Sequence, residues 1–264
     1  MAAIIGILDS GLGGLTVARK LDTLLPKADI FYFGDTARFP YGGRSTGVIA
    51  GHVEQGLDFL KEKGANLIVL ACVTASAAWL AGGGQEAGVP VVDAVTATVD
   101  RVTALKACRS IGVVGTPVTV QTGVFDRLIS AQAPSARVYS YALPLLVPLI
   151  EEGRLDRPET RMIVKKYLHP LKVRQIDALV MGCNHFAMVK PLMQRKIGKR
   201  TMLVDCVDAV VDSTLEYVKG YMPQAAQPGE GGSRSYYLTD LTDRMVPVAK
   251  KMFGRNLTLR LSEA

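Results

Sequence analysis

The sequence predicts an α/β protein with two similar doubly wound domains, mostly parallel sheets and a cleft between them. Short apolar segments rich in β-branched residues alternate with longer amphipathic segments along the chain, as in doubly wound folds. The apolar segments show no polar alternation, which favours parallel sheets that are covered on both faces. The pattern of the first hundred residues then starts again, which predicts a second unit of the same kind.

The elements of each predicted unit follow one another as strand and helix. In the first unit, strands are predicted over residues 4–8, 30–34, 67–71 and 89–93, and helices over residues 14–25, 46–63 and from residue 74. In the second, strands are predicted over residues 110–114, 137–142, 178–181 and 202–204, and helices over residues 119–131, 157–172, from 187, and 209–220. An exposed loop over residues 222–235, a strand over 236–239 and a helix over 241–253 complete the chain. We assign residues 1–97 with 208–264 to the first domain and residues 98–207 to the second.

Composition excludes several classes of protein. The 264 residues are 48% hydrophobic and 21% charged, which is typical of a folded enzyme and excludes a disordered or fibrous chain. No apolar run approaches the ~18 residues of a membrane span, and no basic leader precedes the first strand, so we expect a cytoplasmic protein. The net charge of +7 comes without a nucleic-acid-binding motif, so we expect no nucleic-acid partner. The four cysteines form no CxxC pair, which excludes zinc-ribbon and thioredoxin patterns.

An internal repeat places polar side chains at matching points of the two units. IIGILDSG (residues 4–11) resembles SIGVVGTP (residues 110–117), and LIVLACVTA (residues 67–75) resembles ALVMGCNHF (residues 178–186). Ligands of parallel α/β sheets bind beyond the carboxyl ends of the strands. If the units face each other, Cys72 and Cys183 lie on opposite sides of one cleft. One thiol is then placed to take a proton from a carbon, and the other to return a proton on the opposite face.

With these motifs the chain resembles the glutamate racemases of the aspartate/glutamate racemase superfamily. The matching stretches also include IGILDSGLGGLTV (residues 5–17), FYFGDTARFPYGGRS (residues 31–45), IGVVGTPVTV (residues 111–120) and PLLVPLIEEG (residues 144–153). The resemblance implies an isomerase that interconverts L- and D-glutamate without a cofactor or metal and supplies D-glutamate for peptidoglycan. It implies that Cys72 deprotonates the D-isomer and Cys183 the L-isomer. Racemases of this family are often dimers, and a homodimer is the assembly that we expect.

Several side chains are candidates for this chemistry. Catalytic roles are predicted for Cys72, Cys183, Asp9 and His185. Substrate contacts are predicted, from the resemblance and from positions after strand ends, for Asp9, Ser10, Tyr41, Gly42, Val73, Thr74, Thr116, Asn184 and His185. The resemblance adds an auxiliary glutamate at Glu151 or Glu152, which otherwise are solvated charges at a helix end. The glycine-rich turn after Asp9 is not a dinucleotide motif, because Thr16 occupies the third glycine position.

Four positions depart from the family pattern, and they leave the substrate open. Val73 and Asn184 stand where the family usually has Asn and Thr, and Phe186 and Ala187 stand where it has Tyr and Pro. Replacing Asn by Val deletes a hydrogen bond worth about 0.5–1.5 kcal/mol, or about 1.5–3 kcal/mol to a charged partner. Aspartate or another amino acid is therefore an alternative substrate. A non-catalytic amino-acid-binding descendant and a Cys–His hydrolase are alternative functions, although a hydrolase leaves one thiol unexplained.

Overall fold

Parallel strands form two separate sheets in the computed structural model, which describes residues 3–84, 87–227, 229, 231–255 and 257–262. In chain order the strands are β1 (Ile4–Asp9), β2 (Asp29–Gly34), β3 (Leu67–Leu70), β4 (Val91–Asp93), β5 (Ser110–Gly115), β6 (Arg137–Ala142), β7 (Ala178–Gly182), β8 (Met202–Asp205), β9 (Arg234–Leu238) and β10 (Leu259–Leu261). The first sheet has the order β10-β9-β2-β1-β3-β4, and the second has the order β6-β5-β7-β8. Every pairing is parallel.

Helices connect the strands. They are α1 (Leu15–Leu24), α2 (Thr46–Glu62), α3 (Val73–Ala81), α4 (Ala94–Thr103), α5 (Pro117–Gln121), α6 (Val124–Gln132), α7 (Leu146–Glu151), α8 (Pro158–Val173), α9 (Lys190–Ile197), α10 (Cys206–Tyr221) and α11 (Met245–Phe253). Within the described residues, no helix has the length and apolar character that a membrane crossing requires.

The strand order confirms the predicted fold class and makes the internal repeat visible. Strands β2-β1-β3-β4 of the first sheet follow the same order as β6-β5-β7-β8 of the second. The central strands β3 and β7 are buried along their whole length, so apolar cores lie on both of their faces. The extra strands β9 and β10 extend the first sheet beyond β2.

The chain passes between the two sheets through α4 and α10, which pack against each other. Each begins directly after a strand that ends in aspartate, and this residue caps the helix: Asp93 accepts hydrogen bonds from the backbone of Val95 and Thr96, and Asp205 accepts one from Val207. The predicted domain bounds, 97/98 and 207/208, fall inside these two helices. The bounds stay a prediction, which the division of the strands between two sheets supports.

Several predicted elements differ in extent from the observed ones. The helix predicted over residues 119–131 is split into α5 and α6, because Gly123 adopts a left-handed conformation with φ 62°. The helix predicted from residue 187 begins as a 3-10 turn over Asn184–Val189. The predicted loop over 222–235, of which residues 228 and 230 lie outside the described residues, contains a 3-10 turn with Ala225 buried. The terminal helix begins at Met245 rather than at residue 241, and β10 was not predicted.

Candidate active site

A cavity of about 410 Å3 lies between the carboxyl ends of the two sheets. Its walls contain almost every residue that the sequence singled out: Ser10, Tyr41, Gly42, Cys72, Val73, Thr74, Thr116, Glu151, Glu152, Cys183, Asn184 and His185. The exception is Asp9, which is buried and hydrogen-bonded to Asn184 of the wall.

The two cysteines reach this cavity from equivalent positions. Cys72 follows β3 and is the N-cap residue of α3, and Cys183 follows β7 and precedes the 3-10 turn. Both side chains are buried, with about 5% of their surface exposed. Because β3 and β7 occupy matching places in the two sheets, each sheet contributes one thiol to the same cavity.

The surroundings of Cys72 favour the neutral thiol. Its Sγ atom lies 3.1 Å from Oγ of Ser10. Burial and the nearby negative charge of Asp9 raise the pKa of Cys72 to about 12, although the Ser10 hydrogen bond acts in the opposite direction. At neutral pH this side chain therefore carries a proton.

Cys183 has different neighbours. Its Sγ atom lies 3.9 Å from Nδ1 of His185, and Nε2 of that ring lies 2.5 Å from Oε1 of Glu151. Burial alone would lower the pKa of His185, but hydrogen bonds to Cys183 and to the carboxylate of Glu151 raise it to about 10. His185 is therefore an imidazolium at neutral pH, and it stands beside Cys183. Of the two glutamates predicted from the sequence, Glu151 makes this contact, and Glu152 is an exposed wall residue.

Asn184 joins the two sides. Its Nδ2 atom donates to Oδ1 of Asp9 at 2.7 Å and to the carbonyl of Ala71 at 3.2 Å. Its Oδ1 atom lies 3.1 Å from Nδ1 of His185. Burial raises the pKa of Asp9, while the charge of His185 and the hydrogen bonds to Gly14, Asn184 and Gly11 oppose this shift. Both amide hydrogens of Asn184 are thus used by protein acceptors.

Three threonine hydroxyl groups form a buried cluster across the cleft. Oγ1 of Thr74, at the start of α3, lies 2.9 Å from Oγ1 of Thr116 and 3.3 Å from that of Thr119. Thr116 caps α5 by accepting a hydrogen bond from the backbone of Thr119. Thr119 was not predicted as a site residue. The spacing T-x-x-T after β5 is the signal for it, because three residues bring a cap and the first turn of its helix into contact.

Tyr41 is held in the cavity wall by an aspartate that sequence reasoning missed. Its hydroxyl donates to Oδ2 of Asp35 at 2.5 Å, and Asp35 is completely buried. Nε of Arg38 and Oγ1 of Thr239 donate to the same carboxylate at 2.9 and 3.1 Å. Burial and this carboxylate raise the pKa of Tyr41. Asp35 directly follows β2, so its position after a strand end was the available signal.

The departures from the family pattern occupy different environments. Val73 is only 1% exposed and forms part of the cavity wall. Phe186 is completely buried in the apolar core, and Ala187 packs against the same core.

Gly42 lies close to Thr116: a Cβ atom on residue 42 would be 3.3 Å from Cβ of Thr116. Across the described part of the chain, no three His, Cys, Asp or Glu side chains converge as metal ligands do.

Known proteins resemble the chain over nearly its whole length. The family model described as Asp/Glu/Hydantoin racemase matches residues 5–214. A glutamate racemase of Syntrophus aciditrophicus is 39% identical, over 96% of this chain and 93% of that protein. The structure of glutamate racemase isoform RacE1 from Bacillus anthracis matches with a TM-score of 0.90 and 27% identity, over 99% of this chain and 97% of that one. A glutamate racemase from Francisella tularensis in complex with D-glutamate matches with a TM-score of 0.90 and 29% identity, over 99% and 97% of the chains.

Proposed function

The chain belongs to the Asp/Glu/hydantoin racemase family, and we propose that it interconverts L- and D-glutamate with two cysteine thiols as acid and base. One observation carries this proposal: Cys72 and Cys183 line the same cavity from equivalent strand ends of two facing sheets. A substrate Cα atom held between them has one thiol on each face. Neither a binding protein nor a Cys–His hydrolase requires the second thiol.

The unlike surroundings of the two thiols suit the conversion of the L-isomer. In the proposed step, Cys183 acts as a thiolate beside the imidazolium of His185 and takes the Cα proton as its C–H bond breaks. Cys72 carries a proton, which it gives to the opposite face of Cα. The step leaves Cys183 as thiol and Cys72 as thiolate. The D-isomer reacts from that state by the reverse transfers, and proton exchange with solvent restores the first state.

The transition state also needs hydrogen-bond donors, because the Cα proton of an amino acid is a very weak acid. Negative charge moves onto the α-carboxylate as this proton leaves. The hydroxyls of Ser10, Thr74 and Thr116 line the cavity and are placed to donate to it, together with the N-terminus of α3. Donors that are already oriented often supply the largest part of such stabilisation.

Glutamate is the proposed substrate because the full-length relatives are glutamate racemases. The solved complex of a relative with D-glutamate supports a small acidic amino acid as ligand. As part of the same proposal, the product D-glutamate enters peptidoglycan, the reaction takes place in the cytoplasm, and the assembly is a homodimer. The protein uses no organic cofactor and does not act on nucleic acid.

Incubation with L-glutamate in heavy water tests the reaction directly. Proton NMR follows the loss of the α-proton, and circular dichroism follows the loss of optical activity; both are expected to decay at comparable rates. L-aspartate and L-alanine serve as alternative substrates, and a glutamate ester tests for hydrolysis. If no α-deuteron enters any of these amino acids, the protein is not a racemase for them and the proposal is refuted. Exchange with aspartate alone would change the substrate and leave the mechanism in place.

A further inference from the structure

Asn184 has a fully determined hydrogen-bonding orientation. The carbonyl oxygen of Ala71 only accepts hydrogen bonds, so the amide group must direct its NH2 toward Ala71 and the neighbouring Asp9. Its carbonyl oxygen therefore faces Nδ1 of His185. An amide oxygen only accepts, so Nδ1 must carry a hydrogen. The same nitrogen is the one that lies 3.9 Å from Sγ of Cys183.

This orientation determines what His185 does for Cys183. A ring nitrogen that already carries a hydrogen does not remove the proton of a thiol. This single hydrogen points to Oδ1 of Asn184, the nearer acceptor at 3.1 Å, so Sγ of Cys183 at 3.9 Å can only share it as a second acceptor. Glu151, at the other ring nitrogen, stabilises the charged ring. The imidazolium is therefore a positive charge beside Cys183 and not its base.

The absence of a side chain at Gly13 leaves the space that the side chains of Asn184 and His185 occupy. A Cβ atom on Gly13 would lie 2.4 Å from Oδ1 of Asn184 and 2.6 Å from Nδ1 of His185. Real Cβ atoms do not approach other atoms so closely, so any side chain at position 13 would displace the pair. The turn between β1 and α1, which belongs to the first sheet, thus packs against the hydrogen-bonded side chains of Asn184 and His185.

We infer that Asn184 is a positioning residue that keeps Nδ1 of His185 protonated beside Cys183 and, through Asp9, connects this side of the site to the side of Cys72. The inference rests on the proposed function for its kinetic consequence. Threonine, the usual family residue here, has a single hydroxyl hydrogen. It cannot donate to both Asp9 and Ala71 while it accepts from His185. The amide of Asn184 therefore connects Asp9, Ala71 and His185, which a threonine hydroxyl cannot do.

Nitrogen-15 NMR of histidine-labelled protein tests the inference without requiring turnover. The chain has only three histidines, and the signals of His185 are those that disappear in His185→Gln. In the wild type, both ring nitrogens of His185 are expected to show the protonated signature from neutral pH up to about 10. In Asn184→Ala the midpoint of this titration should fall by at least about one pH unit, since one hydrogen bond to the charged ring is worth about a tenfold change in its proton affinity.

A matched variant separates the two contacts of Asn184. Asn184→Asp keeps an acceptor oxygen toward His185 but cannot donate to both Asp9 and Ala71, so the His185 titration should not fall although activity does. In Asn184→Ala, kcat should fall about tenfold to hundredfold while KM changes by less than about threefold. Thermal unfolding followed by circular dichroism confirms that each variant is folded, and Asn184→Thr is the replacement if the alanine variant is not.

Two results would overturn the inference. One is a wild-type His185 that carries hydrogen on Nε2 but not on Nδ1 near neutral pH. The other is a folded Asn184→Ala protein whose His185 titrates as in the wild type. Failure of the proposed function is distinguishable from both, because it appears as absent α-deuteron exchange in the wild type while the histidine signals remain measurable.

Discussion

Replacing Glu151 by Gln removes the charge that holds His185 protonated. Oε1 of Glu151 lies 2.5 Å from Nε2 of His185, and the pKa of that ring rises from 6.5 to about 10 against the effect of burial. At 1.36 kcal/mol per pH unit, this shift corresponds to about 5 kcal/mol in favour of the imidazolium. Cys183 and Glu151 together cause this rise. A hydrogen bond to a charged group is worth about 1.5–3 kcal/mol, so losing the carboxylate should lower the pKa of His185 by about 1–2 units.

The assay is the pH dependence of kcat/KM for both enantiomers. In the wild type the basic limb should lie near pH 10, where His185 loses its proton. In Glu151→Gln this limb should move down by about 1–2 pH units, to about pH 8–9, because the ring loses a charged hydrogen-bond partner. Because L- and D-glutamate have equal free energies, kcat/KM must change equally in both directions, which provides an internal check. Glu152→Gln is the matched control. It removes the charge of the next residue in the same cavity wall, and this residue does not contact the imidazole ring of His185.

Stability should follow the same titration. A group whose pKa is raised on folding stabilises the folded state fully below its unfolded pKa and loses this contribution as pH rises through its folded pKa. For His185 this window runs from pH 6.5 to about 10. The free energy of unfolding of the wild type should therefore fall across it, and by a smaller total amount in Glu151→Gln, in which the lower pKa of His185 narrows the window. A basic limb that stays in place in Glu151→Gln, or moves equally in Glu152→Gln, would refute the assignment of Glu151 as the partner of His185.

Other variants test the remaining parts of the site. Cys72→Ser and Cys183→Ser should each abolish racemisation, because a serine hydroxyl is a far weaker acid than a thiol. Cys108 lies away from the cavity, so Cys108→Ser is the control and should keep full activity. Racemisation by a serine variant of either cavity cysteine would contradict the two-thiol mechanism. Val73→Asn places an amide at a position that is 1% exposed. Without ligand, this variant should have a free energy of unfolding that is lower by about 1–3 kcal/mol. If residue 73 faces the substrate, saturating glutamate should restore part of the lost stability. Tyr41→Phe removes a hydrogen bond to a buried carboxylate and should lower the free energy of unfolding in urea by about 1.5–3 kcal/mol; unchanged stability would mean that this contact contributes nothing.

The parts of the fold that the sequence predicted are those with a local cause. Continuous apolar segments identified the central strands, and the residues that follow them line the cavity, because parallel strands bring their carboxyl ends to one edge. Contacts between distant segments were not predictable. Thr239 donates to Asp35, which lies 204 residues earlier, and Asn184, which follows a strand of the second sheet, donates to Asp9 of the first. The chemical roles of the cavity residues stay predictions until the variants are measured.

The two sheets differ at one edge, and this difference bears on how the protein behaves at high concentration. In the first sheet, β2 is covered by β9, but its counterpart β6 pairs with β5 alone among the described strands. An uncovered strand offers its backbone groups to other chains and is a starting point for aggregation. Arg174 lies over the rings of Tyr139 and Tyr141 on β6, at 5.1 and 6.0 Å, and places a charge beside this strand. The guanidinium group of Arg174 thus lies beside the uncovered edge of the second sheet, whereas in the first sheet the added strands move the corresponding edge from β2 to β10.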